Sequence, residues 1–346
     1  MKRGYKQFVG VVLLLAVVAG VSYIVARIAV MQAGTRKTAA AQTIPAVAAE
    51  ARPAVAAVKS ESPVSAVKPV ATAPAATRPA FDAASAQGAL RRGMELLAAQ
   101  KLIEARGELS AAIFSGALDD SQAQQARNAL EDLADMTIFS SRILEGDPYT
   151  IQYTVEGGEV LDKLERRLQL HVPSSILLKV NGIPSASSIR AGQTLKLIQG
   201  PFHAVVSKSG FTMDIYLQRP GLEKVYIKRL RVGLGKNDST PVGSWKLGLG
   251  RKMKNAIWYP PPTSGMTLAL RPGDKDYPLG RAGFWIGLIG TDPNTSGFAG
   301  YGIHGTNNPA SVGKAESLGC IRLADADIEL VYSLLYEEWS TVRVEP

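Results

Sequence analysis

The pattern of hydrophobic and polar residues divides this 346-residue chain into segments of different character. The first is an uncharged run from Phe8 to Ala26, which follows the basic residues Lys2, Arg3 and Lys6. The run approaches the ~20 apolar residues of a membrane-spanning helix, and basic residues before it predict a cytoplasmic N-terminus. Residues 1–34 are therefore predicted to be a cytoplasmic tip and transmembrane anchor. The alternative is a cleaved signal peptide, whose apolar region is shorter, about 7–15 residues, and ends in a small-x-small site.

The second segment, residues 35–81, is rich in Ala, Pro, Val and Lys. Spaced prolines remove backbone donors and favour the polyproline II conformation, and alanine offers too little side chain for a core. We therefore predict a disordered Ala/Pro-rich linker that tethers the rest of the chain.

Apolar residues recur at helical spacing through residues 82–146, and Asp119 is positioned to cap a helix. Three groups carry the pattern: Leu90, Met94 and Leu97; Leu102, Leu109, Ile113 and Phe114; Ala126, Leu130, Leu133 and Met136. Gly93 and the run after Lys101 resemble one tetratricopeptide-type hairpin followed by a third helix. Such repeats need about three copies to be stable alone, so we expect this helical module to pack on its neighbours as a spacer or interaction module.

Residues 149–199 predict a βααβ order. Short strands are expected at Tyr153–Val155 and Gln193–Ile198, with helices at Val160–Leu170 and Ser174–Lys179 between them. The YTVxxG start, the NGI centre and the AGQTLKL end resemble a lysin-motif (LysM) domain, a family that binds glycans containing N-acetylglucosamine.

The LysM resemblance implies glycan contacts at two turns. They contain Gly157, Gly158 and Glu159, and Asn181 and Gly182. The sequence departs from the family at Glu159-Val160, where Asp-Thr or Asp-Ser is common, so the usual helix-capping hydroxyl is missing. A purely structural domain is the alternative to a peptidoglycan-binding one.

From residue 201 to 346 apolar and polar residues mainly alternate, which predicts a mostly-β domain. Strands are expected at His203–Lys208, Phe211–Leu217, Val225–Val232 and Thr341–Val344, with a helix at Asp325–Tyr336. The whole chain is therefore predicted to be multidomain.

The formal net charge of +9 is unevenly distributed. Residues 1–80 carry ten Lys/Arg against two Asp/Glu, whereas residues 201–346 carry seventeen against thirteen. The basic character therefore belongs mainly to the N-terminal segment. Binding to nucleic acid needs basic residues clustered on a folded face, and the sequence gives no sign of such a cluster.

Candidate chemistry is concentrated near the C-terminus. Cys320 is the sole cysteine, so it can form neither an intramolecular disulfide nor a multi-thiolate metal site. It is either a buried inert thiol or a nucleophile, and a nucleophile needs a base and an oxyanion stabiliser. His304, one of three histidines, lies nearby in a glycine-rich context.

The stretches Tyr301–Asn307 (YGIHGTN) and Ser317–Arg322 (SLGCIR) resemble the signature of the L,D-transpeptidases, which cross-link bacterial peptidoglycan. The resemblance implies a mostly-β catalytic domain over 201–346. It implies that Cys320 is the acyl-forming nucleophile and that His304 is its base. One departure is Leu318, where many members carry a second histidine.

The resemblance extends to the neighbouring residues. It implies that the Gly305 carbonyl orients His304, and that Gly319 and Ser317 form the oxyanion site and its loop. Substrate contacts are assigned to Arg322, Tyr301, Thr306 and Asn307, which can alternatively form an ion pair, shape the loop or pack.

The implied activity is transfer of a stem peptide through a Cys thioester to an amine, with no metal or organic cofactor. Transfer to water, as in an L,D-carboxypeptidase or endopeptidase, and a non-catalytic peptidoglycan-binding anchor are the alternatives. The expected partners are peptidoglycan stem peptides, glycan strands and, through the anchor, the cell membrane. The expected location is the bacterial periplasm, attached to the inner membrane by a single span.

Overall fold

The computed structural model describes residues 82–260 and 267–346. The predicted anchor and linker, residues 1–34 and 35–81, lie outside the described residues. Within the described part, no helix is both long enough and apolar enough to cross a membrane.

Three helices open the described chain, as the sequence predicts: α1 Ala83–Ala98, α2 Leu102–Phe114 and α3 Asp120–Thr137. Asp119 caps α3 in a capping box with Gln122, which satisfies two backbone donors that a helix start leaves open. Gly93 lets α1 approach α2, because a Cβ at this position would lie 2.6 Å from Leu109 Cγ.

The next module has the predicted βααβ order. It consists of β1 Thr150–Thr154, α4 Leu161–Arg167, α5 Ser174–Val180 and β2 Thr194–Ile198, with β1 and β2 antiparallel. The first helix ends before the predicted Leu170, because Gln169 adopts a left-handed backbone with φ of 49°. Val160 at the start of α4 forms no capping hydrogen bond, as expected for a side chain without a hydroxyl.

The C-terminal part is mostly β. Its elements are β3 Phe202–Ser207, β4 Thr212–Leu217, β5 Val225–Arg231, β6 Leu234–Gly235, β7 Gly243–Met253, β8 Trp285–Gly290, β9 Gly302–His304, β10 Ala315–Ser317, β11 Ile321–Arg322, α6 Asp325–Leu334 and β12 Thr341–Glu345. Eight strands form one sheet in the order β11-β9-β8-β7-β12-β3-β4-β5, and β6 pairs with β10. The core contains Ile328, Val331 and Leu334 of α6 together with buried strand residues.

The helices α2 and α3 contact the β5 edge of this sheet. Tyr226 of β5 is fully buried and belongs to the same hydrophobic cluster as Leu109 and Leu130. The Tyr226 N–H donates to Ser110 Oγ at 3.1 Å, and the Arg229 N–H donates to Glu131 at 3.3 Å. The helices thus supply acceptors to an edge strand whose N–H groups would otherwise be open to pairing with another chain.

Buried polar contacts join the modules further. Arg106 of α2 forms an ion pair with Asp147 at 2.7 Å, and both side chains are almost completely buried. The Tyr149 N–H donates to the same carboxylate at 3.0 Å. On the other side of the βααβ module, the Tyr336 hydroxyl donates to Glu165. The helices, the βααβ module and the sheet are therefore connected through groups that need one another for hydrogen bonds.

Candidate active site

His304 lies at the end of β9, between two neighbouring strands. It pairs in register with Trp285 of β8 on one side and with Arg322 of β11 on the other. Residues opposite one another in a sheet project to the same face, so the three side chains form one row. The Trp285 and His304 rings stack with centroids 5.7 Å apart and an interplanar angle of 16°.

The His304 imidazole is neutral at physiological pH. Its Nδ1 lies 2.6 Å from the Gly305 carbonyl oxygen, which can only accept, so Nδ1 carries the proton and Nε2 is the basic nitrogen. Burial lowers the pKa of His304 from 6.5 to about 4; the Arg322 charge also lowers it, and the Gly305 contact opposes the shift. His304 is therefore available as a proton acceptor.

Cys320 is half-buried and directly precedes β11. It lies two residues before Arg322, and the two side chains line the same cavity. Its Sγ lies 3.7 Å from the Gly300 carbonyl oxygen. Burial raises the pKa of the thiol, while a hydrogen bond from the Gly302 N–H and the Arg322 charge lower it. The net shift is upward, so Cys320 is a thiol at neutral pH and needs a base.

A tight turn presents Cys320. Ser317 Oγ donates to the Cys320 carbonyl oxygen at 2.7 Å and accepts from the Gly319 N–H at 3.0 Å. Gly319 has a φ of +133°, and a Cβ there would lie 2.6 Å from Tyr301 Cε1, so only glycine fits. The Gly319 N–H, predicted as part of an oxyanion site, is thus already used within the turn. The Cys320 N–H makes no hydrogen bond to any residue of the described part.

His304, Cys320 and Arg322 line one cavity of about 840 Å³. Most of its other walls are apolar or aromatic. They include Met253, Ile257, Trp258, Tyr259, Leu279, Trp285, Tyr301 and Leu318. Among the described residues, the charged side chains on its wall are Arg322 and Lys254, both cationic. A cavity of this size and lining fits an organic ligand that carries negative charge.

Arg322 is the cation whose charge acts on both His304 and Cys320. Its side chain forms no salt bridge with a carboxylate of the described residues, although Glu316 acts on it at longer range. Burial lowers the pKa of its guanidinium. A half-buried guanidinium without a close partner is a natural binding site for a carboxylate.

Comparison with known proteins bears on this site. Residues 201–344 match the YkuD family model, the L,D-transpeptidase catalytic domain. The matched residues include His304, Cys320 and Arg322.

Individual relatives carry the same name. A YkuD protein of Bacillus licheniformis, named as an L,D-transpeptidase, is 28% identical over 185 residues, which is 51% of this chain and 89% of the relative. The ErfK/SrfK protein of Salmonella typhimurium is 25% identical over 202 residues, covering 55% of this chain and 60% of the relative. A solved L,D-transpeptidase from Mycobacterium smegmatis is 14% identical, with a TM-score of 0.32, covering 45% of this chain and 64% of that one.

Within residues 201–344 the remaining predicted residues divide into those that line the cavity and those that do not. Tyr301 lines the cavity, and its ring lies 5.4 Å from that of Trp245. Thr306 is buried, and its hydroxyl accepts from the Asn308 N–H at 3.1 Å, so it shapes the loop after His304. Asn307 is exposed and does not line the cavity.

Two residues of the candidate site were not singled out from the sequence. Trp285 stacks on His304, and Thr240 binds the Gly319 carbonyl oxygen at 2.9 Å. Neither belongs to the motif in sequence: the pairing of β8 with β9 brings Trp285 to it, and the loop between β6 and β7 brings Thr240 to it. No group of three or more His, Cys, Asp or Glu side chains suited to a metal occurs within residues 82–260 and 267–346.

Asn181 and Glu159, which lie in the two turns of the βααβ module, both form contacts within the module. Asn181 uses its amide inside the module: it donates to the Leu177 and Lys196 carbonyls and accepts from the Lys196 N–H, each at 2.8 Å. Glu159 accepts from the Tyr153 hydroxyl and pairs with Arg167. Both side chains therefore have structural roles.

Proposed function

We propose that this protein is a peptidoglycan L,D-transpeptidase in which Cys320 forms the acyl-enzyme and His304 is its base. One observation carries the proposal: the Cys320 thiol and the buried His304 imidazole line the same cavity beside Arg322, which forms no salt bridge with the described residues. A thiol of raised pKa reacts slowly by itself, so Cys320 needs a neighbouring base such as His304 to act as a nucleophile.

The reaction begins with proton transfer. Nε2 of His304 takes the Cys320 proton as Sγ attacks the carbonyl carbon before a terminal D-amino acid. The carbonyl electron pair moves to oxygen, where the Cys320 N–H is the candidate donor. When the intermediate collapses, the C–N bond breaks, and the leaving amine takes the proton from His304.

The thioester then passes to an acceptor. An amine of a second stem peptide attacks it, His304 removes the amine proton, and the thiolate of Cys320 leaves and is reprotonated. The product is a cross-link. If water is the acceptor, the same steps give a trimmed peptide, which is the carboxypeptidase or endopeptidase alternative. Arg322 would hold a substrate carboxylate.

The test is to incubate the full-length protein with soluble stem peptides and to analyse protein and products by mass spectrometry. We expect an acyl adduct on Cys320 and cross-linked dimers. Cys320→Ala should form neither, and Cys320→Ser should be nearly inactive because a hydroxyl is harder for His304 to deprotonate. Trimmed monomers without dimers would favour the hydrolase, whereas turnover by Cys320→Ala would end the proposal.

The other modules have proposed roles in attachment. Residues 1–34 would anchor the chain in the inner membrane, 35–81 would tether it, and 149–199 would be a LysM-type glycan-binding domain in the periplasm. The exposed Gly157-Gly158 turn is the best candidate glycan contact, because the Asn181 side chain is already occupied. The helical module of residues 82–146 would support the catalytic domain of 201–346 through the β5 edge.

A further inference from the structure

Thr240 lies in the loop between β6 and β7, and its side chain is almost completely buried. Its hydroxyl oxygen accepts from the Gly235 N–H at 2.8 Å and lies 2.9 Å from the Gly319 carbonyl oxygen. A carbonyl can only accept, so the hydroxyl proton is directed at Gly319. A side chain 79 residues away along the chain thus holds the turn that presents Cys320.

The bond from Thr240 acts on the peptide unit that joins Gly319 to Cys320. That unit is planar, and in the trans form its carbonyl and its N–H point in opposite directions. Fixing the Gly319 oxygen therefore fixes the direction of the Cys320 N–H, which points away from the buried hydroxyl. A donor at the carbonyl also polarises the amide, which makes its N–H a stronger donor.

The surroundings leave this peptide little freedom to rotate. A Cβ on Gly235 would lie 2.9 Å from Gly319 Cα, so the two segments touch through glycine. On the other side, Ser317 Oγ binds both the Gly319 N–H and the Cys320 carbonyl. The Cys320 N–H has no hydrogen-bond partner in the described residues, so it is free to receive an oxyanion.

We propose that Thr240 is a positioning residue that aligns the Cys320 N–H to receive the oxyanion of the acylation step. The inference rests on the proposed function, because an oxyanion forms only if Cys320 attacks a carbonyl. Thr240 acts on the reaction through the Gly319–Cys320 peptide, while its bond from the Gly235 N–H holds the hydroxyl in place.

The test compares two reactions of Cys320 in the full-length protein. Acylation by p-nitrophenyl acetate forms the C–S bond through an oxyanion and releases p-nitrophenolate. Alkylation by iodoacetamide forms a C–S bond at a saturated carbon, releases iodide and forms no oxyanion. Both need the thiol deprotonated, so their ratio isolates the oxyanion contribution. Rates are followed by intact-protein mass spectrometry.

Thr240→Val keeps the shape of the side chain and removes its hydroxyl. We expect its acylation rate to fall about tenfold or more, which is less than the ~10²–10³-fold cost of removing a donor outright. The alkylation rate should stay within about twofold of wild type, since no donor is needed there. Thr240→Ser, which keeps the hydroxyl, should recover most of the lost acylation.

Thr295→Val is a matched control. Thr295 is fully buried, and its hydroxyl donates to the Ser244 carbonyl at 2.8 Å, but it does not contact the Cys320 turn. This variant should leave the ratio of the two rates unchanged. Circular dichroism establishes folding, and Thr240→Ala replaces Thr240→Val if the latter fails to fold.

The outcomes separate the hypotheses. An unchanged ratio in Thr240→Val, or a parallel fall in both rates, would overturn the inference, because the hydroxyl would then matter only for the fold. A wild-type protein that iodoacetamide alkylates at Cys320 but no acyl donor modifies would overturn the proposed function, and this inference with it.

Discussion

The low pKa of His304 predicts an unusual response of Cys320 acylation to acid. Because burial holds that pKa near 4, well below the ordinary 6.5, the imidazole stays unprotonated as the pH falls through the range where histidines normally gain a proton. The thiol pKa is shifted the other way, so Cys320 remains protonated over the same range. Between the two pKa values, the fraction of protein in which His304 has taken the Cys320 proton does not depend on pH.

The size of the effect follows from these values. At pH 5.5 about 97% of His304 is unprotonated if its pKa is about 4, whereas an imidazole with the ordinary pKa would be about 9% unprotonated. Lowering the pH from 7.0 to 5.5 should therefore leave acylation by an uncharged activated ester nearly unchanged. An ordinary histidine would cost roughly tenfold, and a thiolate formed without a base would cost roughly 30-fold.

The assay measures the rate of adduct formation on Cys320 by mass spectrometry at several pH values, with circular dichroism at each to verify folding. His304→Gln is the matched variant. It removes the base but keeps a polar side chain, so its rate should be low and should rise about tenfold per pH unit as hydroxide alone deprotonates the thiol. A wild-type rate that falls with a midpoint near 6.5, or in parallel with His304→Gln, would refute the reasoning.

Three further predictions follow from other parts of the molecule. Leu130→Ala should destabilise the fold by about 2–5 kcal/mol. Because Leu130 shares a core with Tyr226, urea unfolding followed by circular dichroism and by activity should show one transition, and two separate transitions would contradict this. Arg322→Gln should raise the KM of a carboxylate-bearing stem peptide about tenfold or more, and lower acylation by an uncharged ester far less; equal losses would exclude carboxylate binding. The full-length protein should fractionate with membranes and keep its N-terminus, whereas a mature N-terminus near residue 34 would indicate a cleaved signal peptide.

The motif residues could be recognised from sequence because their relation is local. Ser317, Gly319 and Cys320 lie within four residues of one another, and the turn that joins them needs a backbone that only glycine adopts easily. The three N-terminal helices were predictable for a similar reason: Asp119 and the apolar spacing act within one or two turns of helix.

The long strand β7 was not predicted, and its sequence explains why. Gly248 and Gly250 lie inside it, and glycine normally weakens a strand. Here the pairing with β8 is irregular between Leu247 and Lys252, and a Cβ on Gly248 would lie 2.6 Å from Ile289 Cδ1. A side chain at Gly248 would have to displace Ile289 of the neighbouring strand β8, which local patterns cannot reveal.

The contact of the helices with the sheet also depends on information that is not local. Tyr226 lies between Val225 and Ile227 in β5, and nothing in this local sequence says that it is buried by helices from another module. The same holds for Arg106 and Asp147, whose residue types suggest surface positions but whose pairing allows both to be buried. Deleting residues 149–199 would remove the contact of Glu165 with Tyr336, so point variants are the sounder probe of that module.

The Arg322 charge lowers the pKa of both reacting groups. One of these shifts hinders proton transfer from Cys320 to His304 and the other favours it. Its positive charge lowers the pKa of the His304 imidazole, which makes a poorer acceptor, and also lowers the pKa of the Cys320 thiol, which makes a better donor. The two effects oppose each other in the transfer equilibrium. What remains is a half-buried guanidinium in the cavity wall with no salt bridge to a described residue. Desolvating a cation is costly, and a substrate carboxylate would offset that cost, so binding explains Arg322 better than chemistry does.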